Sequence, residues 1–138
     1  MLVGHEPGGG HEAGVIELGF VPRPVLLSLL AAARALVFPT LAEGFGLPVI
    51  EAMALGTPVI TSNTGALAEV AGGAALAVDP LDVLAIGAAI ARIDRDDGLR
   101  DALAAAGLRR ASHYSPIDFA ARLRRAYRKI AGDLPDVA

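Results

Sequence analysis

Two glutamates lie eight positions apart around a glycine-rich turn, in the stretch PTLAEGFGLPVIE at residues 39–51. The glycines of this turn let the backbone approach a ligand closely and adopt positive φ angles, and Pro48 is typical of the first turn of a helix. The free N–H groups at a helix start bind phosphate and other anions. Glu43 lies in the loop and Glu51 about one turn into the helix, so both carboxylates can border one pocket as hydroxyl acceptors.

The same two carboxylates allow a plainer interpretation. Glu51 can interact with the dipole of its own helix, and Glu43 can simply be solvated. The spacing of the two residues does not decide between the alternatives. Two hydroxyl acceptors beside an anion-binding helix start would suit a ligand that carries both hydroxyl groups and phosphates, which is the chemistry of a nucleotide sugar.

Short apolar segments alternate with helical patterns over the first eighty residues. The strand-like segments are 15–20, 35–38, 58–61 and 74–78, and the helical patterns are 24–34, 47–55, 66–70 and most of the chain from residue 81. Strands that are apolar throughout predict a parallel sheet covered on both faces. The predicted fold class is therefore α/β, a partial Rossmann-like, doubly wound parallel sheet of about four strands with C-terminal helices.

The chain length predicts a single domain over residues 1–138. Residues 1–14 form an irregular leader, residues 15–80 the βα units and residues 81–138 the closing helices. The glutamate motif follows the second predicted strand, so it should lie at the carboxyl edge of the sheet, where open α/β sheets bind ligands.

Composition excludes several classes of function. A net charge of −3 argues against nucleic acid as a partner, and the lack of cysteine excludes disulfides and thiolate chemistry. The two His-Glu pairs at residues 5–12 lack the spacing that places two ligands on one helix face, so no metal site is predicted. No apolar run approaches the roughly 20 residues of a bilayer span. We expect a cytoplasmic protein, with peripheral membrane attachment left open.

Residues 15–130 resemble the C-terminal, donor-binding lobe of the retaining glycosyltransferases of family four, which have the two-lobed GT-B fold. The resemblance rests on the Glu-x7-Glu motif and its surroundings, PTLAEGFGLPVIEAMALGTPVITSNTGALAEVAGGAALAVDP at residues 39–80, and on ELGFVP at residues 17–22. It implies that Glu43 contacts the donor sugar near the reacting centre as the catalytic residue, and that Glu51 accepts hydrogen bonds from the ribose hydroxyls.

The resemblance also implies contacts through the backbone. The turn amides would meet sugar hydroxyls and pyrophosphate; they belong to Gly44, Phe45, Gly46 and Leu47. The segment before the first helix, Val21 and Pro22, would hold the base. Thr40, a small hydroxyl residue, would be either a turn residue or a contact. No metal or cofactor is implied besides the nucleoside-diphosphate sugar itself.

The sequence departs from the family pattern in its basic residues. The family carries an Arg and a Lys after the first strand of the lobe, which neutralise the diphosphate. Here the one lysine is Lys129, and Arg23 and Arg34 lie on or beside the first predicted helix, so we expect none of the three to take this role. Stabilisation of the departing diphosphate by nearby positive charge supplies much of the rate in such reactions.

Two parts of the family's fold have no counterpart in this sequence. One is the acceptor-binding N-terminal lobe. The other is the first strand of the donor-binding lobe, which lies between the second and fourth strands of a 3-2-1-4-5-6 sheet. Residues 15–20 would be the third strand and residues 36–38 the fourth. We therefore expect a chain truncated at its N-terminus, with a rearranged sheet or one completed by an oligomer or partner chain.

Together these features predict a retaining glycosyltransferase that moves a hexosyl group from a nucleoside-diphosphate sugar to a saccharide or lipid-linked acceptor. The 138-residue chain would supply the donor-binding part and be weakly active or inactive alone. The alternative is a non-catalytic nucleotide-sugar binding module, or a subunit completed by a partner chain.

Overall fold

The computed structural model describes residues 14–131. The elements in chain order are α1 (Arg23–Ala32), β1 (Leu36–Phe38), α2 (Leu47–Ala54), β2 (Val59–Ser62), α3 (Gly65–Ala71), β3 (Leu76–Val78), α4 (Val83–Arg95), α5 (Asp97–Ser112) and α6 (Pro116–Ala131). The predicted leader falls almost entirely outside the described residues. None of the helices within residues 14–131 combines the length and apolar character that a bilayer crossing requires.

The three strands form one parallel sheet in the order β1-β2-β3. Leu36 pairs with Val59 at the start of β1, and Ser62 pairs with Val78 at the end of β2. All four residues of the central strand are buried, because it has a neighbour on each side and helices above and below. The α/β class with a partial Rossmann-like sheet is thus confirmed.

The faces of β2 belong to two separate cores, since successive side chains of a strand point to opposite faces. Val59 packs in one core with residues of α1, α2 and α3, and Ile60 packs in the other with residues of β3, α4 and α5. The buried members of the first core are Leu30, Val49, Ala52, Met53, Val59, Leu67, Val70, Ala71 and Ala74; those of the second are Ile60, Val78, Ala89, Ile93 and Leu103. The cores are aliphatic, and helices cover both faces of the sheet.

The strand predicted at residues 15–20 is absent, so the described sheet has three strands instead of about four. Glu17 forms a single β bridge, and Gly19 has a φ of 59°, which interrupts an extended backbone. Ile16 and Phe20 are exposed, and within the described residues this segment is not part of the three-stranded sheet. An apolar run does not form a strand unless it also pairs with one.

The sheet also bears on the expected rearrangement. Its strands are neighbours in chain order, as the fourth to sixth strands of a 3-2-1-4-5-6 sheet would be. Within residues 14–131, β1 pairs with β2 alone, and the sheet does not close onto residues 15–20. Completion of the β1 edge by an oligomer or a partner chain stays a prediction.

Three of the six helices within residues 14–131 begin at a side-chain cap, which are α4, α5 and α6. Asp82 and Asp96 accept hydrogen bonds from the first-turn amides of α4 and α5 at 2.9 and 2.8 Å. Ser115 accepts one from the Asp118 N–H at 3.1 Å, which makes it the N-cap of α6. Gly56 follows the C-cap of α2 with a φ of 74°, the left-handed conformation expected after a helix.

Helix α5 crosses α2 at a point where one of the two helices has no side chain. A Cβ atom on Gly107 would lie 3.2 Å from Met53 Cγ and 3.4 Å from Met53 Cα, whereas a Cβ on Gly87 in α4 would meet nothing within 4 Å. Because Met53 is buried in the first core, the glycine sets how closely the two helices approach.

We expect Gly107→Leu to lower the free energy of unfolding by about 1–3 kcal/mol, since the new side chain overpacks this crossing. The matched control is Gly87→Leu, which should be neutral or slightly stabilising because leucine favours a helix over glycine. Urea unfolding followed by circular dichroism measures both. Equal effects of the two substitutions would contradict the close crossing.

Candidate functional site

The turn between β1 and α2 ends in a glycine that no other residue can replace without strain. Gly46 is the N-cap of α2, with φ 87° and ψ 42°, a left-handed conformation that costs other residues about 1–2 kcal/mol. A Cβ atom at this position would lie 2.5 Å from Leu67 Cδ2. Leu67 belongs to α3 and is buried, so α3 forms the floor beneath the turn.

Three consecutive amides of the turn point at a single carboxylate oxygen. The N–H groups of Gly44, Phe45 and Gly46 lie 3.1, 3.4 and 3.4 Å from Glu43 Oε1. The two longer distances are at the weak end for N–H···O bonds, yet the convergence of the amides forms a concave anion-binding arrangement. The turn therefore holds a negative charge, here the carboxylate of its own first residue.

Glu51 has a different partner. Its Oε1 lies 2.6 Å from Nη2 of Arg23, the first residue of α1, and the Glu51 side chain is only 17% exposed. Carboxylates seldom become this buried without a cation or several donors. The ion pair joins α1 to α2, and sequence reasoning had assigned no role to Arg23.

The two motif carboxylates thus have separate partners, and the shared pocket expected between them stays a prediction. Cavities of about 260 and 280 Å³ lie elsewhere, and neither carboxylate lines them. The first is lined by residues of 72–74 and the C-terminal half of α5, and the second by residues of α6. Glu43 and Glu51 instead lie on the open carboxyl-edge side of the sheet.

The carboxyl ends of β1 and β2 are joined by hydroxyl groups. Thr61 Oγ1 donates to the carbonyl of Phe38 at 3.2 Å, and Ser62 Oγ donates to the carbonyl of Thr40 at 2.5 Å. The hydroxyl oxygen of Thr40 is buried and has no partner within residues 14–131. The backbone carbonyl of Thr40 is therefore held in the turn by Ser62. The side-chain hydroxyl of Thr40 is unused within residues 14–131.

The other predicted donor-binding positions lie around this edge. Val21 is half-buried and Pro22 exposed, and the Pro22 carbonyl accepts the Leu26 N–H at 3.0 Å as α1 begins. Phe45 and Leu47 are 48% and 57% exposed. No group of three or more histidine and acidic side chains that could hold a metal ion occurs within residues 14–131.

An aromatic pair supports the turn from the far end of α5, which sequence reasoning missed. The rings of Phe45 and Tyr114 meet edge to face, with centroids 5.9 Å apart. Arg110 donates to the Tyr114 hydroxyl at 3.0 Å and to the carbonyls of Glu69 and Val70 in α3 at 2.5 and 2.8 Å. The Arg110 guanidinium thus links α5 to the last turn of α3, which is the helix beneath the turn between β1 and α2.

Helix α5 ends as its sequence predicts. His113 is the C-cap, and its Nδ1 lies 2.9 Å from the carbonyl of Arg109. Nothing in the sequence pattern showed that the following tyrosine would reach the motif. The available signal was an aromatic residue just beyond a helix end in a chain with few aromatics.

We expect Gly46→Ala to destabilise the chain by about 1–3 kcal/mol, because alanine would be strained at this φ and would displace Leu67. Gly44→Ala is the matched control, since a Cβ there meets nothing within 4 Å and its cost should stay within about 0.5 kcal/mol. Chemical denaturation of both variants measures the difference. A Gly46→Ala variant as stable as its control would refute the steric role.

We expect a double-mutant cycle of Phe45→Leu and Tyr114→Leu to show a coupling of about 0.5–1.5 kcal/mol, the value of an edge-to-face aromatic pair. Tyr127 in α6 is half-exposed and serves as the comparison. Phe45→Leu combined with Tyr127→Leu should be additive. Additivity in both cycles would show that the aromatic pair does not support the turn.

Comparison with known proteins identifies the family of this chain. Residues 3–96 match the family described as glycosyl transferases group 1. The O-antigen chain mannosyltransferase B of Escherichia coli is 47% identical over 107 residues, covering 78% of this chain and 28% of the relative. The D-inositol 3-phosphate glycosyltransferase of a Nocardioides species is 35% identical over 133 residues, covering 92% and 28%.

A third relative, the MMP alpha-(1->4)-mannosyltransferase of Mycolicibacterium hassiacum, is 40% identical over 100 residues, covering 64% of this chain and 24% of the relative. The chain thus spans about a quarter of the length of the curated relatives it matches. The family match extends over more than half of the chain and includes β1, the turn, α2 and the sheet. The chain belongs to the group 1 glycosyltransferase family.

Proposed function

We propose that this chain binds the nucleoside-diphosphate sugar of a retaining hexosyltransferase, as the donor-binding part of a GT-B architecture. The acceptor, a saccharide or lipid-linked glycan, would be bound by the other lobe. The observation that carries the proposal is the convergence of three turn amides on one carboxylate oxygen at the start of α2. A phosphate group suits the same set of donors.

The internal carboxylate indicates how the donor would enter. A diphosphate that takes the amides of residues 44–46 displaces the Glu43 carboxylate from them. Glu43 is exposed, so it can turn towards the sugar that the diphosphate carries. There it would orient sugar hydroxyls and stabilise the positive charge that develops at the anomeric carbon.

Glu51 would recognise the ribose. Its Oε1 is engaged by Arg23, and its Oε2 has no hydrogen bond within residues 14–131. A carboxylate has lone pairs for about four hydrogen bonds, so the ribose hydroxyls can donate without breaking the ion pair. The base would extend towards Val21 and Pro22, and the unused hydroxyl of Thr40 would serve the sugar or phosphate side.

The proposed reaction uses the donor's own phosphate. The acceptor hydroxyl attacks the anomeric carbon from the face that the diphosphate leaves, and a phosphate oxygen takes the proton from that hydroxyl. The configuration is thereby retained, and the scheme assigns no step to a metal or cofactor. Because two of the three relatives are named mannosyltransferases and one acts on an O-antigen chain, a mannosyl donor and a role in polysaccharide biosynthesis are the first to test.

A second candidate is a nucleotide-sugar binding module without turnover, or a subunit completed by a partner chain. The observation that favours it is the lack of the Arg-Lys pair that would neutralise the departing diphosphate, since the one lysine is Lys129 in α6. Release of labelled sugar from GDP-mannose by the 138-residue chain would support the enzyme. Nucleotide binding without release would support the module.

We expect GDP or UDP, titrated to about 20 mM into the ¹⁵N-labelled 138-residue chain, to shift the amide signals of residues 44–46. Glu51→Gln should weaken this binding by about tenfold, since one or two charge-assisted hydrogen bonds are lost. Asp94→Asn is the control, because Asp94 pairs with Arg34 on an exposed surface and should not affect the titration. Shifts confined to other regions, or an unchanged affinity of Glu51→Gln, would contradict the assigned site.

A further inference from the structure

Arg23 lies where an arginine does not stabilise its own helix. It is the first residue of α1, and a cation at a helix N-terminus faces the positive end of the helix dipole. The first turn of α1 contains no acidic residue to compensate it. The compensating charge comes from another element, the Glu51 carboxylate of α2.

The ion pair is asymmetric in its exposure. The Arg23 side chain is 71% exposed and that of Glu51 is 17% exposed, with Nη2 and Oε1 2.6 Å apart. A second surface pair, Arg34 with Asp94, has both side chains at least 60% exposed and a distance of 3.1 Å. Pairs of that exposed kind contribute little to stability. The Arg23 pair instead fixes a carboxylate that is mostly withdrawn from water.

Both partners keep free hydrogen-bonding groups. Within residues 14–131, the guanidinium makes no bond other than that to Glu51, and Glu51 Oε2 makes none. A guanidinium has five N–H donors in a fixed plane, so one edge can hold Oε1 while another faces outward. The arginine also directly follows Val21 and Pro22 in the chain.

We propose that Arg23 is a positioning and specificity-determining residue for the nucleotide, acting through Glu51. It holds the carboxylate aimed so that Oε2 receives the ribose hydroxyls, and it fixes the distance between the base-holding segment and the ribose acceptor. The inference rests on the proposed function and deepens it. It makes discrimination between ribose and 2′-deoxyribose depend on a residue outside the Glu-x7-Glu motif.

The experiment measures affinities of the 138-residue chain for GDP, 2′-deoxy-GDP, UDP and 2′-deoxy-UDP by NMR titration. The unaltered chain should prefer the ribonucleotide, and Arg23→Ala should weaken ribonucleotide binding by about fivefold or more while changing 2′-deoxynucleotide binding little. Arg23→Lys should retain part of the preference, since it keeps the charge but not the planar donors. Arg34→Ala is the matched control and should leave every affinity unchanged.

A second arm tests whether Arg23 acts through Glu51. The double variant Arg23→Ala/Glu51→Gln should bind the ribonucleotide no more weakly than Glu51→Gln alone, because the arginine then has no carboxylate to position. Additive losses would overturn the proposal and show that Arg23 contacts the nucleotide independently. Equal losses for ribo- and 2′-deoxynucleotides would also overturn it, as a general charge effect.

The outcomes separate this inference from the proposed function. If the unaltered chain binds neither ribonucleotide, the donor-binding function fails and the inference with it. If the unaltered chain binds the ribonucleotide and Arg23→Ala shows the same preference for ribose over 2′-deoxyribose as the unaltered chain, only the inference fails. If the amide signals of Arg23→Ala lose their dispersion, that variant has not folded. The affinities of Arg23→Gln and Arg23→Lys then test the inference, since both side chains retain a donor for Glu51.

Discussion

The last residue of the turn between β1 and α2 has no room for a side chain, and the geometry of the site depends on this constraint. Gly46 takes a left-handed conformation directly above buried Leu67. That conformation lets the chain enter α2 while the preceding amides turn towards one point. A residue with a Cβ would push the turn off α3 or change φ, and either change would scatter the three donors.

The constraint holds only because the elements around the turn are fixed. Leu67 is held by the first core, in which α1, α2, β2 and α3 meet. Arg110 joins α5 to the last carbonyls of α3, and Tyr114 contacts the ring of Phe45 from the outside. The turn is thus supported from below by α3 and from the side by the end of α5. The shape of this short loop therefore depends on packing against residues outside the loop.

The charged groups of the site are paired within the chain. Glu43 occupies the turn amides, and Arg23 engages Glu51. Under the proposed function, a phosphate would have to replace an internal carboxylate at the turn, so its binding free energy would be a difference between two sets of hydrogen bonds. The proposed ribose contact at Glu51 would need no such replacement, because Oε2 makes no hydrogen bond within residues 14–131. The two glutamates differ in this respect, although the motif presents them as a pair.

The amino-acid sequence by itself determined the local structure. Glycine, proline and apolar periodicity placed β1, α2, β2 and α3 within a few positions of where they lie, because each signal acts over one helical turn or one strand. It also identified the glutamate motif at the carboxyl end of a strand. The family follows from those residues and is confirmed by the match over residues 3–96.

Only the tertiary structure decided which residues meet. Residues 15–20 have the apolar pattern of a strand, but within residues 14–131 they do not join the sheet and several of their apolar side chains are exposed. The sequence pattern assigns no role in the site to Arg23 or Tyr114. Arg23 nevertheless contacts Glu51, and Tyr114 contacts Phe45. These partners lie far apart along the chain, and periodicity and capping carry no information about such distances. The physical reason is that a long-range contact exists only once two cores have fixed the helices that carry its members.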